Sequence, residues 1–312
     1  MLGIAAAVAA IVALTAQDAL IKSISTIYPL HEIVLVRACV ALVLVILIVR
    51  WEGGFAVLRS DRPGLQALRG LLIVAANSMF FLGLAALPLA ESVAIFFIAP
   101  VLITALAAPV LGERIGVYRW AAVATGFLGV LVMMRPGTDT FRSEAFLPLG
   151  AAFAYALMQM LTRRLGVTSK ASALAFYIQL AFLIVAVLVG LGVGDGRFAG
   201  DTHPSLQFLL RAWVLPDAPH LALMILIGVF SAIGSYMISQ AYRKGEAAII
   251  APFEYCAVPL SVLWGWLLFD ELPEGAAWLG MALIVAAGLF LFHRELRRGR
   301  PLAVERPMAR NR

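Results

Sequence analysis

The sequence predicts an all-α integral membrane protein with ten transmembrane helices in two inverted five-helix repeats. Three observations carry that prediction. Of 312 residues, 62% are hydrophobic and 13% charged, whereas soluble domains run nearer half apolar and a quarter charged. The apolar residues fall in runs near 20 long, the length a helix needs to cross about 30 Å of hydrocarbon. Finally, one pattern is written twice. Leu111-Gly112-Glu113, Trp120 and Arg135 return 158 residues later as Phe269-Asp270-Glu271, Trp278 and His293. The same offset carries Gly70 onto Gly228, Gly83-Leu84 onto Ala241-Tyr242, and Ala99 onto Ala257. A duplicated apolar chain is the sequence form of a carrier built from internal repeats.

The spans follow in order. Span 1 (2–22) lacks the positive leader of a signal peptide and carries Asp18 and Lys22 one helical turn apart, so it reads as a retained helix. Those two charges can pair along one face. Span 2 (30–50) starts after Tyr28-Pro29, and span 3 (66–87) follows the polar stretch Trp51 to Pro63. Span 4 (89–111) starts after Leu87-Pro88 and ends at Gly112-Glu113-Arg114; span 5 (117–135) ends at Arg135-Pro136-Gly137. Spans 6 (145–165) and 7 (170–193) are split by Arg163-Arg164, and a long connection, Gly194 to Pro219, precedes span 8 (219–242). Span 9 (246–269) follows Arg243-Lys244-Gly245, and span 10 (275–293) follows Asp270-Glu271-Leu272-Pro273. This divides the chain into a first repeat at 1–137, a second at 138–293, and a basic tail at 294–312 expected to be disordered at the membrane surface.

Ten crossings put both termini on one side. That side collects eighteen arginines and lysines and the other five, with Arg37 inside a span. The excess places both termini in the cytoplasm, in a cell inner (plasma) membrane. Five spans per half make spans 1 and 6 cross in opposite directions, hence an inverted repeat. In the first two helices of each half the matching offset is 141, pairing Asp18 with Gln159 and Lys22 with Arg163. The Gly194–Pro219 connection absorbs the difference and reads as a short interfacial segment, with a lid as the alternative.

Charges within hydrocarbon are costly and need partners or water. Arg37 lies seven residues into span 2 and should meet an anion: Glu32, Glu91 or a substrate carboxylate. Glu32 and Glu91 themselves read as interfacial. Glu254 lies deep in span 9 within Pro252-Phe253-Glu254-Tyr255, suited to bind a cation, carry a proton or bond a neighbouring helix. Pro252 and Pro259 interrupt span 9 and Pro100 interrupts span 4; helices broken at corresponding depths point to a transport site. The candidate binding or coupling residues are Asp18, Arg37, Asn77, Gln159, Tyr177, Gln240, Glu254 and Tyr255. With Phe80, Phe81, Phe96 and Phe97 they suit an amphipathic or aromatic solute better than a small ion.

Other classes find little support. His31-Glu32 lacks the second histidine of a zinc helix, and the polar residues lie at several depths, unlike a catalytic cluster, so no enzyme is expected. No cofactor or metal is implied, and nucleic acid is excluded by where the positive charge sits. Without a phosphate loop, the driving force is a solute gradient or coupling to an ion such as the proton. Cys39 and Cys256 read as buried packing residues. Gly126, Gly129, Gly280 and Gly288 let helices approach closely, so spans 5 and 10 read as scaffold, peripheral or at a homodimer contact.

The chain resembles the ten-helix EamA family of the drug/metabolite transporter superfamily over nearly its whole length. The resemblance rests on Leu87-Pro88-Leu89-Ala90-Glu91, Pro100 and Leu111-Gly112-Glu113-Arg114 in half one. In half two it rests on Ala241-Tyr242-Arg243, Ala251-Pro252-Phe253-Glu254-Tyr255 and Phe269-Asp270-Glu271, where Asp270 replaces a glycine common in the family. It implies an inner-membrane carrier with a central cavity, alternating access and no ATP motor. The expected function is secondary transport of small organic metabolites, with export of amphipathic, amino-acid-like compounds favoured and import of a vitamin such as riboflavin as the alternative.

Overall fold

A computed structural model of the chain describes residues 2–59, 63–111, 116–138, 142–165, 171–200, 203–244 and 253–297. Twelve α-helices follow one another in the described residues. They are α1 (Leu2–Ile24), α2 (Leu30–Glu52), α3 (Pro63–Leu84), α4 (Leu89–Phe96), α5 (Ala99–Leu111) and α6 (Val117–Met134). In the second half come α7 (Phe146–Leu165), α8 (Ala171–Val193), α9 (Pro204–Leu210), α10 (Ala218–Lys244), α11 (Ala257–Phe269) and α12 (Gly275–Arg297). Eight stretches are long and apolar enough to cross a membrane, in α1, α2, α3, α6, α7, α8, α10 and α12. The protein is a multi-pass membrane protein. Helices suit that solvent because every backbone group is satisfied within the segment.

The other two apolar stretches are broken. One turn at Phe97–Ile98 separates α4 from α5, and one at Tyr255–Cys256 precedes α11. Pro100 is the second residue of α5 and Pro259 the third of α11, in the first turn, where a missing N–H costs no intrahelical bond. Pro252 lies outside the described residues.

Packing pairs α1 with α10, α3 with α7, α2 with α8, and α6 with α12. Exchanging α1, α2, α3, α5 and α6 for α7, α8, α10, α11 and α12 carries the main inter-half contacts onto one another: α1–α10 becomes α7–α3, α1–α11 becomes α7–α5, and α2–α10 becomes α8–α3. The duplicated glycines sit at matching contacts. A Cβ on Gly70 would fall 2.9 Å from Ala181, and one on Gly228 would fall 2.6 Å from Val40. Gly129 and Gly280 bring α6 and α12 into backbone contact, since a Cβ on Gly129 would lie 2.8 Å from the Gly280 carbonyl oxygen.

One end of the bundle gathers the α1–α2, α3–α4, α8–α10 and α11–α12 connections. There Ser205 Oγ of α9 donates to the Leu82 carbonyl (2.7 Å) and Arg211 to the Ser25 carbonyl (3.2 Å). Phe208 is buried, and His203 pairs with Glu144. Trp213 donates to the Gly190 carbonyl (3.1 Å) and lies edge-on to His31, centroids 4.9 Å apart. The connection is thus a helix and strap tied to both halves. Glu32, expected at the interface, is buried beneath it and accepts the Val214 N–H at 3.1 Å. Two further expectations change. Cys39 is exposed on the outer face of α2 instead of packed inside. Arg294 to Arg297, assigned to the tail, continue α12.

Candidate functional site

Lys22 does not pair with Asp18. Its ammonium reaches across the bundle to Glu271 (2.9 Å) and donates to the Leu87 carbonyl (2.6 Å). Glu271 also accepts the Leu89 N–H at 3.2 Å, and Phe269 lies under the ammonium at 5.2 Å. The first helix wins this pairing because Leu87, beside Pro88, has a carbonyl outside any helix, and Leu89 is the first residue of α4, with a spare N–H. The result is a knot of α1, the α3–α4 turn and the α11–α12 turn at the α9 end.

Asp18, one turn deeper, accepts from Gln17 Nε2 at 3.3 Å and lies within electrostatic reach of Arg37. Arg37 is 2% exposed. Its Nη1 donates to Asn77 Oδ1 at 3.2 Å, and its guanidinium faces Phe182 at 4.5 Å and Phe81 at 5.5 Å. Among the described residues the carboxylate that acts electrostatically on Arg37 is Asp18 of α1, where Glu32 or Glu91 was expected. Its buried Nε has no hydrogen-bond partner.

A second polar cluster lies toward the opposite end. Gln159 Nε2 donates to the Tyr155 hydroxyl at 2.9 Å, and Glu254 and Arg69 both act electrostatically on Tyr155. Arg69, counted from sequence among the cytoplasmic charges, is 7% exposed. Sequence reasoning missed it because span 3 was begun at residue 66. The helix starts at Pro63, placing Arg69 two turns inside. Its Nη1 reaches Gln66 only at 3.5 Å, and its buried Nε has no partner.

Aromatic rings join the clusters. Phe81 adjoins Phe80 (5.5 Å), Phe80 adjoins Phe96 (5.3 Å), and Phe96 adjoins Tyr155 (5.6 Å). A branch runs from Phe96 through Phe97 (6.1 Å) to Tyr255 (5.6 Å) and Phe292 (6.2 Å). Phe97 and Tyr255 are the first residues of the two helix breaks, 158 positions apart, and their rings meet. Tyr255 is seated against Gly288, where any Cβ would collide with its ring. Rings at such spacings prefer tilted and edge-on arrangements, and a planar solute can replace a ring in that role.

Two candidates fall elsewhere. Tyr177 lies at the termini end and donates to the Leu58 carbonyl. Gln240 is in α10, but its side chain lies outside the described residues. Among the described residues no group of three histidine, cysteine, aspartate or glutamate side chains could hold a metal ion.

Residues 1–135 match the EamA-like transporter family. A riboflavin transporter of Rhizobium johnstonii is 32% identical over 79% of this chain and 76% of its own length. An S-adenosylmethionine uptake transporter of Rickettsia prowazekii is 26% identical over 76% of this chain and 74% of its own. A pseudopaline exporter of Pseudomonas aeruginosa is 28% identical over 93% and 95%. A crystal structure 20% identical to this chain superposes with a TM-score of 0.64 over 95% of it and 98% of the other chain, a likeness of fold. A relative at this identity over this span, with the family's pattern starting at the first helix, gives the bundle its place: the chain belongs to the EamA-like transporter family.

Proposed function

We propose that this protein is a secondary transporter importing a small organic metabolite with a planar heteroaromatic ring, riboflavin being the first solute to test. The observation that carries the reading is the aromatic ladder between two buried polar clusters, centred on the two helix breaks. A fused ring system stacks on such a ladder, and its polar ends find the clusters. The names of two relatives support it, since riboflavin carries a fused three-ring system and S-adenosylmethionine a purine. The exporter relative supports the competing direction, export of an amphipathic amino-acid-like compound.

Alternating access of two inverted five-helix repeats, 1–137 and 138–293, is the mechanism that fits. The symmetry of helix contacts and the matching glycine contacts support that architecture with ten crossings. The arginine excess supports cytoplasmic termini in an inner membrane, and the basic stretch after α12 would lie against its surface. Asp18 and Glu254 are the carboxylates placed to respond to a proton gradient.

The test is uptake of labelled riboflavin into proteoliposomes, with and without an inward proton gradient, competed by excess S-adenosylmethionine and by mixed amino acids. Saturable riboflavin uptake above protein-free vesicles supports the reading. Counterflow of amino acids alone would replace it with the exporter reading.

A further inference from the structure

Arg69 and Arg37 occupy opposite ends of the aromatic ladder, and each buries an Nε without a partner. Their surroundings differ. Arg37 lies within electrostatic reach of Asp18 and donates to Asn77, so that end holds a cation, a carboxylate acceptor and an amide. Arg69 forms no ion pair among the described residues; the group acting on it electrostatically is the Tyr155 phenol. On α3, Arg69, Ala76 and Phe80 are spaced 7 and 4 apart and share one face, the face bearing the ring that meets Phe96. Asn77 and Phe81 share the adjacent face toward Arg37. Eight residues separate Arg69 from Asn77, about 12 Å of helical rise, a length comparable to that of one fused ring system with a short side chain.

We propose that Arg69 is a substrate-binding residue that takes the acceptor-rich edge of the ring, while Asp18, Arg37 and Asn77 take the hydroxyl-bearing side chain at the other end. The assignment follows from donor and acceptor inventories. A guanidinium with a buried, unpartnered Nε and no ion pair among the described residues offers donors only and matches paired carbonyls or an anionic group. There the Asp18 carboxylate accepts from hydroxyls while the Arg37 guanidinium and the Asn77 amide donate to them, a mixed set that matches a polyol chain. This rests on the heteroaromatic reading above and adds an orientation to it: ring edge toward α3's first turns, polyol toward the α9 end.

Two probes separate the ends: riboflavin, and lumiflavin, which keeps the ring edge and lacks the polyol chain. Dissociation constants are measured by flavin fluorescence on the purified protein, so that loss of transport coupling does not enter. Arg69→Gln should weaken both probes by tenfold or more, with partial recovery in Arg69→Lys. Asn77→Ala and Asp18→Asn should weaken riboflavin by a similar factor and leave lumiflavin within twofold. A monodisperse gel-filtration profile and a cooperative thermal transition are required of each variant. Equal losses for both probes at both ends, or no loss at Arg69 in folded protein, overturn the orientation while leaving flavin binding in place. Failure of the unmodified protein to bind either flavin overturns the heteroaromatic reading and this assignment with it.

Discussion

At the residue scale the deciding fact is how few alternatives a buried charge has. Arg37, with Asn77 and two phenyl faces as neighbours, can lose its partners but cannot reach water. Arg37→Ala removes the cation that acts electrostatically on Asp18 and leaves a buried carboxylate and the Asn77 amide short of a partner, a loss of about 1–3 kcal/mol. The expected result is a large drop in thermal midpoint, partly restored in Arg37→Ala/Asp18→Asn. An unrestored double variant would show that the two charges do not compensate each other. Asp270 is simpler. It closes α11 at φ 54°, in the left-handed region, at the position where the first half has Gly112. Asp270→Gly should raise stability by about 0.5–1 kcal/mol, read as a shift in denaturation midpoint. A fall instead would mean that the carboxylate stabilises the turn by more than its backbone costs.

Elements are held by small residues and by caps. Gly129→Leu would drive a side chain into the Gly280 carbonyl and Ile284, spreading α6 and α12 at a cost of about 1–3 kcal/mol. Leu substituted at Gly192, which has open space around it, is the control expected to change stability little. At the α9 end, Asp217 caps α10, its Oδ1 accepting the His220 N–H at 3.0 Å. That bond holds the carboxyl below its ordinary range. A depressed carboxylate adds stability at pH above its unfolded value and loses it as pH falls through the folded one. Hydrogen exchange at the His220 amide should therefore stay protected through the usual aspartate range and quicken only below it. Asp217→Asn should remove that pH dependence.

For the whole molecule, the Lys22–Glu271 knot ties the first half to the second at one end of the bundle. In the alternating-access mechanism proposed above, opening at that end must separate these groups. Glu271→Gln replaces an ion pair by a weaker amide contact. A charge-assisted hydrogen bond is worth about 1.5–3 kcal/mol, so the closed-to-open ratio should fall by on the order of tenfold or more. Cys256, at the second helix break, reports it directly. In a Cys39→Ser background, labelling of Cys256 by a membrane-impermeant thiol reagent applied at that end should quicken in Glu271→Gln. An unchanged rate would show that the pair does not set the conformational balance.

Much of this was legible along the chain. Apolar run length and the 158-residue recurrence depend on local composition, and a helix satisfies its own backbone wherever it sits in hydrocarbon. Eight of the spans, the EamA resemblance and the depth of Arg37 were therefore open to reading before any contact was known. Partner choice was not. Lys22 was assigned Asp18 because both lie on one helix, yet it took Glu271, 249 residues away, together with the spare carbonyl and N–H of a turn. Arg69 was counted as a surface charge because a three-residue error at a helix start moves a side chain from interface to interior. Cys39 was taken as packed, but which face of α2 meets the bundle depends on α8 and α10. The sequence by itself determined what each segment is, because the membrane imposes one solution on twenty apolar residues. Only the tertiary structure decided which buried groups meet, because a charge in low dielectric is governed by whichever neighbour the packing brings within a few ångströms.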